Sequence, residues 1–178
     1  MDSLARETGI TRQTIHNLFG TKAGLLEALF DHLALDAGMQ RMREVMQQPD
    51  PDAMLAGFVK VVCDFWTRDR ILIRRIHGIA AIDPEFGTAV EARNRRRQGA
   101  AARVVDRLAA VSSEKEMQRR NEYVRDGERD RSRAQKVAAL YALTSFEFFD
   151  SLAESCGDLE ETARLVFTLA AQAVALRS

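Results

Sequence analysis

Apolar residues recur along this chain at three- and four-residue spacing, and turn-forming residues cut the pattern into successive helices. Leu4, Ala5 and the aliphatic part of Arg6 predict a short helix ending at Thr8, where Gly9 supplies the left-handed residue favoured at a helix C-terminus. Ile10 plugs the corner, and Thr11 is placed to cap a second helix whose buried face is Ile15, Leu18 and Phe19. Thr21 caps a long third helix predicted to reach about Gln48. Pro49-Asp50-Pro51-Asp52 ends it and opens the next, which runs through Phe58, Val62 and Trp66. Asp69 and Arg70 mark a corner before a short apolar helix from Ile71 to about Ile82. Asp83-Pro84 then starts a helix through Val111, which Ser112 and Ser113 end. Further on, Val137, Leu140, Tyr141, Thr144, Phe148 and Leu152 fall on one stripe and predict a single helix closed at Gly157-Asp158. Glu161 boxes the start of the last helix, through Leu165, Val166, Leu169, Ala173 and Leu176.

Composition agrees with an all-α fold. The chain has 178 residues, a 46% hydrophobic fraction and only three prolines, and no alternating strand pattern stands out. The break at Pro49–Asp52 divides it into residues 1–48, a small head with a connecting helix, and residues 49–178, a larger helical body. Arg74 and Arg75 interrupt the most apolar run, so no membrane contact is expected, and with no signal peptide visible the expected location is cytoplasmic. Cys63 and Cys156 sit in helical patterns without ligand spacing and read as small core residues. No glycine-rich phosphate loop, paired metal-spaced histidines or nucleophile with a nearby base is present in the sequence. The expectation is a non-enzyme with no catalytic residues, no metal and no cofactor.

Charge is unevenly placed in a chain whose formal net charge is zero. Residues 1–48 carry Arg6, Arg12, Lys22, Arg41 and Arg43 against six acidic residues, so non-specific attraction to phosphate is expected to be weak. From Arg93 to Lys136 there are fourteen basic and seven acidic residues. Such a run can bind an acidic partner, and Arg93-Asn94-Arg95-Arg96-Arg97 can meet nucleic acid or an anionic effector, but runs of this kind on helices are usually solvated faces and that reading is preferred; the stretch from Glu114 to Arg133 is read as a solvated connection or exposed helical extension.

The chemistry is concentrated on the second helix. Opposite its apolar side stand Arg12, Gln13, Thr14, His16 and Asn17, donors and acceptors long enough to reach base edges or phosphates. Here LARETGITRQTIHNLF followed by GTKAGLLEALF resembles the TetR family of bacterial transcriptional regulators over about thirty residues. The resemblance implies a helix-turn-helix DNA-binding head and a ligand-binding, dimerising helical body. It also implies that the second helix enters the major groove and that Lys22, at the start of the next helix, meets a phosphate. Arg12, Gln13, Thr14 and Asn17 are then expected to read bases, and Thr11, His16 and Lys22 to hold the backbone of a double-stranded operator. His16 departs from the pattern, since the family usually has tyrosine there.

The family carries a further helix before these two, and here almost nothing precedes Leu4. An incomplete three-helix head is therefore expected, with Ile10, Ile15 and Leu18 partly exposed. Either a first helix lies upstream of Met1 in the natural protein, which is the preferred reading, or the reader is degraded. The resemblance further implies an effector site among the middle helices, for a small molecule. Phe58, Val62, Trp66, Ile76, His77, Ile79, Phe86, Tyr141 and Phe148 are the candidates to line it, though each is equally able to be core. In the last two helices apolar residues extend beyond one face: Phe146, Phe149, Ala138 and Ala142 lie off the main stripe, and alanines keep the final helix slim. That pattern predicts a homodimer interface. The overall expectation is a ligand-responsive repressor coupled through the long third helix, about 27 residues or roughly 40 Å in length. The alternative is a helical dimeric module for a small molecule or protein that has lost DNA binding.

Overall fold

Among the described residues the predicted spacings are realised as helices; Leu176, expected on the last of them, lies outside those residues. A computed structural model describes residues 2–117 and 126–175, and among these there are only α-helices, one 3-10 turn and their connections. The elements are α1 (Asp2–Thr8), α2 (Arg12–Phe19), α3 (Lys22–Asp36), a 3-10 turn (Met39–Arg41), α4 (Met42–Val45), α5 (Pro51–Arg68), α6 (Arg70–Ala80), α7 (Pro84–Met117), α8 (Asp126–Leu143), α9 (Phe146–Cys156) and α10 (Leu159–Ala175). No helix among the described residues is long and apolar enough to cross a membrane.

Two helices expected as one piece are broken. The third ends at Asp36, because Gly38 takes a left-handed conformation (φ 72°) and the chain turns through Met39–Arg41. Arg41 secures the turn: its Nε donates to the Gly38 carbonyl at 3.1 Å and its Nη2 to Asp64 on α5 at 2.8 Å. The turn brings Met42, Val45 and Met46 onto the main core, which a straight helix would miss. The second break separates α8 from α9. Ser145 caps α9 by accepting from the Phe148 N–H at 3.2 Å, and the Thr144 hydroxyl bonds back to the Leu140 carbonyl at 2.7 Å. A third departure is the length of α7, which continues past Ser112 and Ser113 to Met117. The charged stretch from Glu114 to Arg133 is thus helical at both ends; residues 118–125 lie outside those described.

The break between α8 and α9 changes which residues are inside. Phe146 and Phe149 fall off the stripe only if one helix is assumed; with α9 re-phased they enter the monomer's own core, Phe149 with no exposure at all. That core joins α5, α7, α8, α9 and α10 around Phe58, Val104, Leu140, Phe149 and Val166, each fully buried. Burying a side chain of this kind contributes about 1.5–3 kcal/mol. A second cluster, Leu26, Phe30, Leu33, Ile76 and Ala89, packs α3 onto α6 and α7 across the Pro49–Asp52 break.

At the N-terminus Ile10 and Leu18 are exposed, 43% and 67%, as expected. Ile15 is not: α1 and α3 both contact α2, and Ile15 is only 2% exposed.

Candidate functional site

Two groups of residues carry the candidate chemistry, one on α2 and one around the α8–α9 break. On α2, Thr11 is an N-cap whose hydroxyl accepts from the Thr14 N–H at 3.1 Å and also bonds the Thr14 hydroxyl at 2.9 Å. Gln13 donates to Asn17 one turn later at 2.8 Å, and Arg12 pairs with Asp2 on α1 at 3.2 Å. With Ile15 turned inward, Thr11, Arg12, Gln13, Thr14, His16 and Asn17 are all exposed, so the short helix presents a continuous polar face. The next helix starts tightly against it. A Cβ on Gly24 would lie 2.1 Å from the Phe19 carbonyl oxygen, so only glycine permits this close junction. That junction sets Lys22, which is exposed yet engaged: its ammonium pairs with Asp83 and lies 5.0 Å from the Phe86 ring centroid. Asp83 also caps α7, accepting from the Glu85 N–H at 3.0 Å, and its carboxyl is held below its ordinary value chiefly by Lys22.

A second clasp joins the same helices. Arg93 on α7 donates to Glu27 at 2.7 Å and Asp31 at 3.0 Å on α3, with its guanidinium 4.3 Å from the Phe30 ring centroid. Phe86, a candidate effector residue, therefore belongs to the α3–α7 contact, in a different cluster from Trp66.

The residues that do gather there converge on Thr144. Trp66 Nε1 donates to the Thr144 carbonyl at 3.0 Å within the core. Arg97 donates through Nη1 to the Tyr141 carbonyl and, at 3.0 Å, to Thr144 Oγ1, with its guanidinium 4.1 Å from the Tyr141 ring centroid. These bonds satisfy carbonyls freed where α8 ends, and a cation suits that end of a helix. Trp66 packs edge-on to Phe146 at 5.5 Å and to His77 at 6.3 Å. His77 in turn bonds Glu147 through Nδ1 at 2.7 Å, which holds the Glu147 carboxyl down at about 2. Burial pulls the Arg97 guanidinium below its ordinary value, partly offset by Tyr141 and Glu147. Phe58 and Val62 are buried in the same core, and Phe148 packs against it.

Beside His77, α6 is fastened to α9 by ion pairs. Arg70 meets Asp150 and Glu154, each at 2.6 Å, and Arg74 meets Asp150 at 2.8 Å and also Glu154. Residues 70, 74 and 77 thus form one helical stripe facing residues 147, 150 and 154. A separate open groove of about 360 Å³ lies on α10, lined by Glu161, Arg164, Leu165 and Thr168, and none of the expected effector residues lines it. Among the described residues no three metal-ligating side chains come together.

Arg97, Glu147, Phe146 and Thr144 were not among the expected site residues. For Arg97 a signal was available: Ala89, Arg93, Arg97, Ala100, Ala101 and Val104 keep helical spacing, so the two arginines continue a buried stripe while Arg95 and Arg96 lie off it. Comparison with family models, curated proteins and solved structures finds no match to the chain.

Proposed function

We propose that this chain is a ligand-responsive, DNA-binding transcriptional regulator, a cytoplasmic repressor acting as a homodimer. The observation that carries the reading is the exposed polar face of α2, with Arg12, Gln13, Thr14, His16 and Asn17 projecting from a helix anchored by buried Ile15. Such a face, on a helix reached by a glycine turn from a shorter one, has the size and donor pattern for a major groove. In this reading Arg12, Gln13, Thr14 and Asn17 meet base edges, and Thr11, His16 and Lys22 meet phosphates. The effector site is the group around Trp66 and His77.

Coupling between the two sites runs through α7 and not through a single long lever, since α3 stops at Asp36. One helix carries Asp83 against Lys22, Arg93 against α3, and Arg97 against the core, spanning about 21 Å from first to last at the usual helical rise. A ligand near Arg97 shifts DNA affinity only as far as it prefers one placement of α7 over another. The dimer reading is supported by exposed Ala134, Ala138 and Ala142 on α8 and Phe167 on α10, two helices that pack side by side.

The test is a binding assay on duplex DNA with three variants. Arg12→Ala and Gln13→Ala relax sequence preference, whereas Lys22→Ala weakens all sequences together and lowers the slope of log affinity against log salt by about one. Unchanged binding in all three sinks the assignment. The second reading, a dimeric binding module without DNA activity, is favoured by the occupied state of Lys22 and the near-neutral charge of residues 1–48.

A further inference from the structure

Three of the arginines by which α6 and α7 reach other helices are answered by carboxylates, and Arg97 is not. Arg70 and Arg74 meet Asp150 and Glu154, and Arg93 meets Glu27 and Asp31. Arg97 meets only neutral groups: the Tyr141 carbonyl and Thr144 hydroxyl through Nη1, and the Asn94 amide oxygen through Nη2 at 3.3 Å. Its Nε is closed off from solvent and has no partner. Glu147, the carboxylate whose field reaches it, is already engaged by His77 at 2.7 Å.

The pattern of satisfied and unsatisfied donors is directional. Nη1 is committed to the end of α8, which explains why the side chain is held here. The opposite edge, Nε with Nη2, has one unmet donor and one long bond. That edge is the fork that matches the two oxygens of a carboxylate, and a buried donor left unmet in a folded protein calls for a partner. Around the same residue, Thr144, stand the rings of Trp66, Phe146 and His77, with Tyr141 stacked on the guanidinium.

We propose that Arg97 is the anion-binding residue of the effector site, and that the effector is a small carboxylic acid with a flat apolar body. The carboxylate takes the Nε–Nη2 edge, displacing the Asn94 amide from its long bond, while the body lies against the rings around Thr144. This inference rests on the reading of the Trp66–His77 group as the effector site. It adds what that reading lacks, the ligand's charge and the residue that meets it. Because Arg97 sits four residues beyond Arg93 on the same stripe of α7, the ligand touches the helix that holds α3.

Trp66 is the sole tryptophan of the chain, so its emission reports on this group alone. The full chain is titrated with benzoate, phenylacetate and 2-naphthoate, and in parallel with the corresponding primary amides. A saturable emission change with at least one acid, about tenfold or more weaker for its amide, is expected. Arg97→Lys keeps a cation at the end of α8 and loses the fork; with its far-UV circular dichroism unchanged, it binds the acid about tenfold or more weaker. Equal responses to acid and amide, or full acid affinity in Arg97→Lys, leave the site reading intact and overturn the inference. No saturable response to any acid or amide overturns both.

Discussion

At Thr144 the structure brings together side chains that are far apart in sequence, and each can be tested singly. Trp66→Phe keeps an aromatic ring but removes the donor to the Thr144 carbonyl and leaves a small void. The expected loss is about 2–3 kcal/mol, read from urea denaturation, and a loss near zero contradicts the role given to this bond. The acidic residues opposite α6 give a pH dependence. His77 holds the Glu147 carboxyl at about 2; burial works against Asp150, but hydrogen bonds from Arg74 and Arg70 outweigh it and keep it low; and Arg74 and Arg70 hold Glu154 low. A carboxyl depressed in the folded state contributes stability that is complete above its unfolded value and is lost as protonation proceeds. The denaturation midpoint should therefore be insensitive to these groups above about pH 5 and fall as pH drops from about 4.5 towards 2. At this scale the sequence was partly legible. The exposed face of α2 follows from spacing alone; Arg93 and Arg97, read with their neighbours as a solvated face, are instead turned inward on the stripe from Ala89 to Val104. The pairing of His77 with Glu147 was not legible, because nothing local links residues on α6 and α9.

Element boundaries were legible wherever a cap or a proline marks them: Thr11, Thr21, Asp50-Pro51, Asp83-Pro84 and Gly157 all lie where the structure starts or ends a helix. The two missed breaks have weaker local signals. At Gly38 a single glycine stands inside an apolar pattern that continues on both sides, and the turn is fixed by Arg41 reaching Asp64 on another helix. Gly38→Ala forces a side chain into the left-handed region with its Cβ 2.9 Å from Arg41 Nε, and should cost about 1–2 kcal/mol in denaturation. At Thr144-Ser145 two residues of the stripe serve as end and cap, and the break is held by Trp66 and Arg97 from elsewhere. The missed break made Phe146 and Phe149 look like surplus apolar surface. Between elements, the contact of Lys22 with Asp83 makes a direct prediction within the proposed function. Asp83→Asn retains an N-cap for α7 but frees the Lys22 ammonium, so affinity for all duplexes should rise by up to about fivefold in fluorescence anisotropy. An unchanged or lowered affinity contradicts the view that Asp83 competes with phosphate for Lys22.

For the whole molecule, α7 is the member that ties the parts together: it meets α3 through Asp83 and Arg93, the core through Val104, and the end of α8 through Arg97. The all-helical character of the chain was legible from composition and periodicity. The packing of α3 onto α6 and α7 was not, since a proline-rich break in the sequence carries no information about which helices meet across it. In solution a dimer is expected, which light scattering after size exclusion reads as twice the chain mass. The proposed function stands, however, on the polar face of α2 reading sequence. The direct test is selection of bound duplexes from a random library by the purified protein, followed by sequencing. The predicted result is an enriched inverted repeat with half-site centres about 34–36 Å apart, whose enrichment collapses in the Arg12→Ala, Gln13→Ala double variant. Recovery of no enriched sequence, or the same sequences with the double variant, contradicts it.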